Sequence, residues 1–370
     1  MKILVTGGCG FIGSHLVDKL VEEGNRVRVY DMLEPQVHLG RKPAYLNSHA
    51  EYIFADLRSK DKLAKALKNI EVIFHLAAQV GVGQSMYQIE KYISHNVGGT
   101  AVLLDLLVNS KNKVKKIIVA SSMSIYGEGA YRCKTCGIVS PYLRSAAQLK
   151  KRDWEMRCPK CKGKARDIPT PEDKPLYPSS VYATTKRSQE EMCLQVGMAY
   201  KIPTVALRYF NVYGPRQSLS NPYTGVAAIF LSRVKNNQPP LVFEDGKQSR
   251  DFIYVSDLVD ANVRAMKNKE ADYGFFNLGT GNPHSILEIA DTIIFLCHKN
   301  LKPVILNKFR AGDIRHCYAN TEKMESMLEF RPKITFQEGM KKLILWSENE
   351  KAVDLTRKAQ SELVKRGLAE

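Results

Sequence analysis

A glycine cluster near the start leaves this chain few ways to fold. Gly7-Gly8-Cys9-Gly10-Phe11-Ile12-Gly13 follows a short apolar run, KILVT, and leads into an amphipathic one, SHLVDKLVEEG. Glycines at this spacing allow a tight turn, a close approach of a ligand to the backbone, and packing of the next helix on the strand, while the helix N-terminus attracts negative charge. A glycine-rich turn alone is a weak signal. Here it ends the first strand, and Asp31 ends the second, eighteen residues after Gly13. A carboxylate at that place accepts hydrogen bonds from ribose hydroxyls and repels a 2′-phosphate, so the cluster reads as an NAD site. Gly7, Gly10, Phe11, Ile12, Gly13 and Asp31 are its expected residues.

Residues 1–125 continue as short β-branched runs alternating with helical patterns: RVRVYD, KLAKALKN, EVIFHLAA, TAVLLDLLVNS and KKIIVASS. Repeated βαβ units predict an α/β Rossmann fold, a doubly wound parallel sheet with helices on both faces. The pattern breaks between about 128 and 173, resumes with a helix over 182–200 and the strand TVALRYF, and then becomes irregular and richer in Gly and Pro. The expected organisation is a Rossmann core at 1–129 and 169–208, an insert at 130–168, a smaller substrate-binding region at 209–348 with some return to the core, and a charged, helix-prone tail at 349–370 that is prone to fray.

No run approaches the roughly 18 apolar residues that span a bilayer, and MKILVTGG lacks the apolar region of a signal peptide, so a soluble, cytoplasmic protein is expected. Lys and Arg outnumber Asp and Glu by 55 to 38. The basic residues are scattered and do not alternate with aromatics, which favours attraction of a pyrophosphate substrate, or a basic surface without specific purpose, over nucleic-acid binding.

Cys133-x2-Cys136 and Cys158-x2-Cys161 are separated by 21 residues, close to the spacing of a four-cysteine zinc ribbon. Gly137, Pro159 and Gly163 suit tight turns around the thiolates, and so aperiodic an insert has too little apolar content to hold itself together. A structural zinc is expected, because four sulfurs leave no open position for catalysis.

Tyr182 and Lys186, four residues apart in VYATTK, fall on one helix face. An ammonium held near a phenol favours the phenolate, making tyrosine usable as a base. Taken alone such a pair is common on solvated faces. Here it follows a nucleotide-binding half and the strand IIVASS, whose end carries Ser122 toward the crevice where open α/β sheets bind ligands.

With these residues in view the chain resembles the extended short-chain dehydrogenase/reductases of the nucleotide-sugar epimerase and dehydratase family. The matching segments are Thr6-Gly7-x2-Gly10-x2-Gly13, Asp56-Leu57, His75-Leu76-Ala77-Ala78, Ser121-Ser122-x3-Tyr126-Gly127, Tyr182-x3-Lys186, Arg208-Tyr209-Phe210-Asn211-x-Tyr213-Gly214-Pro215-Arg216, Arg250-Asp251-Phe252-Ile253 and Arg310-x-Gly312-Asp313. The resemblance implies Ser122, Tyr182 and Lys186 as the catalytic set, and Asp56, Leu57, Leu76, Ala77, Ala78 and Asn96 beside the cofactor. It also implies that Asn211, Arg216, Arg250 and Arg310 hold the diphosphate or nucleoside of a nucleoside-diphosphate sugar that Ser122 meets at its reacting hydroxyl, with Asp313 in the last matched segment, and a homodimer built on TAVLLDLLVNS and the helix after Tyr182. Met123 and Phe243 are further candidates for contact with the substrate, Phe243 reading either as a stacking partner of the nucleotide base or as a plain core phenylalanine. Those helix faces pack equally well on the sheet.

The reaction implied is an isomerisation: oxidation at C4 of the hexose, rotation of the 4-keto sugar, and re-reduction. Family dehydratases carry an Asp-Glu pair after the serine, where this chain has Met123-Ser124, and neither of those serves as acid or base. Among the branches, the cysteine insert and RYFNVYGPRQSLSNPYTGVAA resemble the bacterial dTDP-L-rhamnose 4-epimerases, with enzymes acting on UDP-glucose, UDP-galactose or UDP-glucuronate as the alternative. Gln79, Val80, Gly81, Met123, Tyr126 and Asn221-Pro222-Tyr223 are candidates for the sugar pocket, and His75 reads as a satisfied core residue.

Overall fold

Along the first strand, Ile3 and Val5 join one apolar cluster and Leu4 joins another, and the same alternation recurs at Phe74 against Ile73, and at Ile118 against Ile117 and Val119. A strand that places apolar side chains on both of its faces has to lie between two layers. In this computed structural model, which describes residues 1–369, seven such strands form one parallel sheet. They are β1 (Lys2–Thr6), β2 (Arg26–Asp31), β3 (Glu51–Phe54), β4 (Val72–His75), β5 (Lys116–Ser122), β6 (Thr204–Tyr209) and β7 (Phe275–Leu278). Their order is β3-β2-β1-β4-β5-β6-β7, a Rossmann-like topology whose direction of winding reverses between β1 and β4.

Three of the helices stand next to the glycine turn or to β5. Helix α1 (Phe11–Glu22) starts at the glycine turn, α2 (Gly99–Asn109) precedes β5, and α3 (Val181–Tyr200) packs on β5. The Ser180 hydroxyl caps α3 by accepting from the Ala183 amide at 3.1 Å, which starts the helix one residue before the expected position.

After β6 the chain builds a second, mixed sheet from Asn211–Tyr213, Ser249–Tyr254, Pro283–Ser285 and His316–Cys317. Among the described residues of this stretch, only 275–278 return to the main sheet. The segment between β5 and α3 carries its own antiparallel sheet of Ala130–Cys133, Gly137–Val139 and Ala165–Ile168, over a small core of Tyr131, Val139, Met156 and Ala165 with Cys133 and Cys158.

The tail departs from the frayed end expected of it. Helix α4 (Thr356–Lys365) buries Ala359 and Leu363 and is tied down at both ends. Upstream, Asp354 pairs with Arg233 at 2.8 Å and the Val353 amide donates to Ser220 Oγ; downstream, the Ala311 amide donates to the Leu368 carbonyl at 2.9 Å. Its charged sequence concealed two apolar positions one turn apart. Among the described residues, no helix is long and apolar enough to cross a membrane.

Candidate active site

A cleft of about 670 Å³ opens at the C-terminal ends of the central strands, on the reversal of strand order. The glycine turn forms its floor. Gly7 sits at φ +73°, where a Cβ would come within 2.8 Å of the Ala77 amide nitrogen, and a Cβ on Gly13 would lie 2.2 Å from the Gly7 carbonyl oxygen. Only glycine fits either place. The first amides of α1 have no partner within the helix and face this cleft, as a pyrophosphate cradle requires. Asp31 lines the cleft too, its carboxylate fixed by the Cys9 amide at 2.9 Å and the Leu33 amide at 2.8 Å.

Asp56, Leu57, Leu76, Ala77 and Ala78 also line the cleft, but Asn96 does not. Asn96 is fully buried behind the wall, where it accepts from the Gln79 amide at 2.6 Å and donates to Thr185 Oγ1 at 2.9 Å. It braces the Gln79 loop.

Ser122, the last residue of β5, and Tyr182, in the first turn of α3, meet at the cleft with Lys186. Ser122 Oγ accepts from Ser124 Oγ at 2.9 Å and from the Ser124 amide at 3.2 Å, which leaves its own proton for Tyr182. Burial raises the Tyr182 pKa, and the hydrogen bond with Ser122 opposes that rise. The Lys186 ammonium donates to Gln189 Oε1 at 2.9 Å, and burial pulls its pKa down to about 8.

His75 is a core residue as expected. It is fully buried between Thr6 Oγ1 at 2.8 Å and Thr100 Oγ1 at 2.9 Å, and burial lowers its pKa to about 3, so it stays neutral.

At the far end of the cleft, Phe243 carries the Arg310 guanidinium 4.5 Å from its ring centre, and Asp313 holds Arg310 Nε at 2.8 Å. Arg250 lines the same end, although its fork is occupied by the carbonyls of Ser249, Ile314 and Arg315, so it contributes charge more than free donors. Met123 and Asn211 complete the predicted set. Ser121 Oγ, Asn211 Oδ1, Gln217 Oε1 and Gln248 Oε1 are buried cleft atoms without a hydrogen-bond partner, the mark of a site shaped for a polar ligand.

Besides Asn96, two expected residues stand outside the cleft. Arg216, at φ +66°, turns back onto α1 and pairs with Asp18 at 2.7 Å beneath the Tyr45 ring. Tyr126 is fully buried, donating to Asn277 Oδ1 at 2.7 Å. Sequence reasoning passed over Ser124 and Gln189, and it gave the tail no part in the cleft, yet Thr356, Ala359, Gln360 and Leu363 line it.

In the insert, the sulfurs of Cys133, Cys136, Cys158 and Cys161 all lie within 4.8 Å of one another, with Cys133 and Cys161 at 3.5 Å. Amides of Cys161 and Lys160 point at Cys158 and lower its pKa to about 6. Four thiols gathered in this way fit a tetrahedral soft cation.

Residues 3–279 match the NAD dependent epimerase/dehydratase family. The chain belongs to that family. It is 34% identical over 352 residues to the dTDP-L-rhamnose 4-epimerase of Burkholderia thailandensis, a match covering 94% of this chain and 95% of that one. The UDP-glucose 4-epimerase of Thermotoga maritima, solved with UDP-glucose, superimposes with a TM-score of 0.77 at 31% identity, over 94% of this chain and 99% of the other. The UDP-glucuronic acid 4-epimerase of Bacillus cereus, solved with UDP-glucuronic acid and NAD, gives 0.78 at 28% identity, over the same 94% and 99%.

Proposed function

We propose that this family member is an NAD-dependent 4-epimerase of a nucleoside-diphosphate hexose, acting first of all on dTDP-L-rhamnose. The observation that carries the reading is that Ser122, oriented by Ser124, and Tyr182 line one cleft together with the glycine cradle. NAD supplies a hydride acceptor and donor when bound there. Tyr182 then takes the proton of the sugar's C4 hydroxyl, and Ser122 steadies the same oxygen while its own orientation is fixed by Ser124. Lys186 sits one turn along α3 from Tyr182, where an ammonium favours the phenolate. The unpartnered atoms of Asn211 and Gln248, with Arg310 over Phe243, suit the nucleotide.

Met123 and Ser124 stand where a dehydratase needs carboxyl groups, which favours epimerisation over loss of water. The B. thailandensis likeness favours rhamnose over UDP-glucose, UDP-galactose and UDP-glucuronate. Residues 1–129 and 169–208 are read as the NAD-holding body, 209–348 mainly as the sugar-nucleotide side, and 130–168 as a zinc-stabilised insert. A homodimer through α2 and α3, which pack side by side, and a cytoplasmic setting for eight unpaired cysteines complete the reading.

The test is incubation with dTDP-L-rhamnose, UDP-galactose and UDP-glucuronate separately, reading C4 configuration by NMR. Inversion of a UDP-sugar alone overturns the substrate, and inversion of none overturns the activity.

A further inference from the structure

The cysteine insert reaches the cleft through one buried side chain. Arg144 has no exposed side-chain surface, and its two terminal nitrogens each lie 2.9 Å from an oxygen of Glu244. The same fork also donates to the Trp154 carbonyl inside the insert and, at 3.3 Å, to the carbonyl of Asp313. Glu244 follows Phe243 and stands at φ +52°, a left-handed conformation that a non-glycine residue keeps only where its surroundings hold it. Arg315 supplies the second grip, at 3.1 Å, and is itself held by Glu155 of the insert at 2.6 Å.

The two segments fixed in this way, 243–244 and 310–315, are those that place Phe243, Arg310 and Arg250 along the nucleotide end of the cleft. Neither Arg144 nor the insert touches the Ser122–Tyr182 end through these bonds.

From this arrangement we propose that Arg144 is a positioning residue for nucleotide binding: the insert exists to clamp Glu244 and the Asp313 carbonyl, setting the distance between Phe243 and Arg310 that receives the nucleoside diphosphate. The proposal rests on the functional reading above for its ligand, but not on the sugar or on C4 chemistry. It predicts a separation of effects, since a clamp on the nucleotide end alters binding and leaves the reacting end intact.

The experiment compares Arg144→Met and Arg144→Lys in the full-length protein. Affinity for UDP and for dTDP is measured by calorimetry, retained NAD by absorbance, and KM and kcat with whichever sugar nucleotide the wild type converts. For Arg144→Met the expected result is a KM and a nucleotide Kd raised about tenfold, with kcat and bound NAD within about twofold of wild type; Arg144→Lys recovers about half of the affinity on a logarithmic scale. If Arg144→Met does not fold, Arg144→Lys carries the test, with an expected loss of about threefold confined to KM and Kd. Unchanged Kd in the folded variants, or a fall in kcat at constant KM, overturns the proposal. Should the wild type invert no sugar while Arg144→Met still weakens UDP or dTDP, the epimerase reading falls and the clamp stands.

Discussion

Replacing Lys186 with methionine sets stability against activity. The side chain is buried, and its pKa falls from 10.5 to about 8 because burial penalises the ammonium. At about 1.4 kcal/mol per tenfold change in proton affinity, holding that charge at pH 7 costs about 3 kcal/mol relative to the unfolded chain. Methionine removes the penalty and leaves Gln189 Oε1 without its donor, a loss of about 1 kcal/mol. The NAD-free variant is then about 2 kcal/mol more stable than wild type at pH 7, roughly 2–3 °C in Tm for a chain of 370 residues.

The sign with pH follows from the depressed value. Below about 8 the folded lysine is charged and the penalty is complete; between about 8 and 10.5 the folded form has lost its proton while the unfolded form still binds one, so wild-type stability rises with pH and the advantage of methionine fades. Urea unfolding at pH 7 and pH 10 measures both points, alongside a turnover assay in which kcat falls about 100-fold or more. A variant less stable than wild type at pH 7, or an advantage that does not shrink by pH 10, refutes the reasoning.

Tyr182→Phe removes the hydroxyl bonded to Ser122, and C4 inversion measured by NMR should fall by roughly 10²–10⁴ with the circular dichroism spectrum unchanged. Gly13→Ala drives a Cβ to 2.2 Å from the Gly7 carbonyl oxygen; the purified protein should carry no NAD by absorbance and lose about 1–3 kcal/mol in urea unfolding. Metal analysis should find about one zinc per chain, abolished in Cys136→Ser, whose thermal midpoint then drops to that of chelator-treated wild type. Leu363→Asp places a charge where α4 packs on Gly83 and lines the cleft, and should raise KM for the sugar nucleotide about tenfold in steady-state kinetics.

What the sequence disclosed and what it withheld divide along physical range. The glycine turn, Asp31 at the end of β2, the paired cysteines and the Tyr182–Lys186 spacing are local patterns, and local geometry suffices to place them. Most of the departures arise from partners far along the chain. Arg216 is captured by Asp18 across 198 residues, Tyr126 by Asn277 across 151, and Lys186 is oriented by a glutamine that also packs against His75 and Thr100 from distant strands and helices. The tail looked unanchored because its fasteners, Ser220, Arg233 and Ala311, lie in loops and helices whose positions no periodicity reveals.

The excursion between Ser122 and Tyr182 leaves and re-enters through a single doorway: Ala130 faces Ile168 in the antiparallel ladder, and the Ala130 amide donates to Thr170 Oγ1 at 3.2 Å. Because the two strands of that doorway are already side by side, the length of chain beyond it has no leverage on how far the serine lies from the tyrosine. Lineages are therefore free to swap, shorten or elaborate what hangs outside without retuning the bond-making pair.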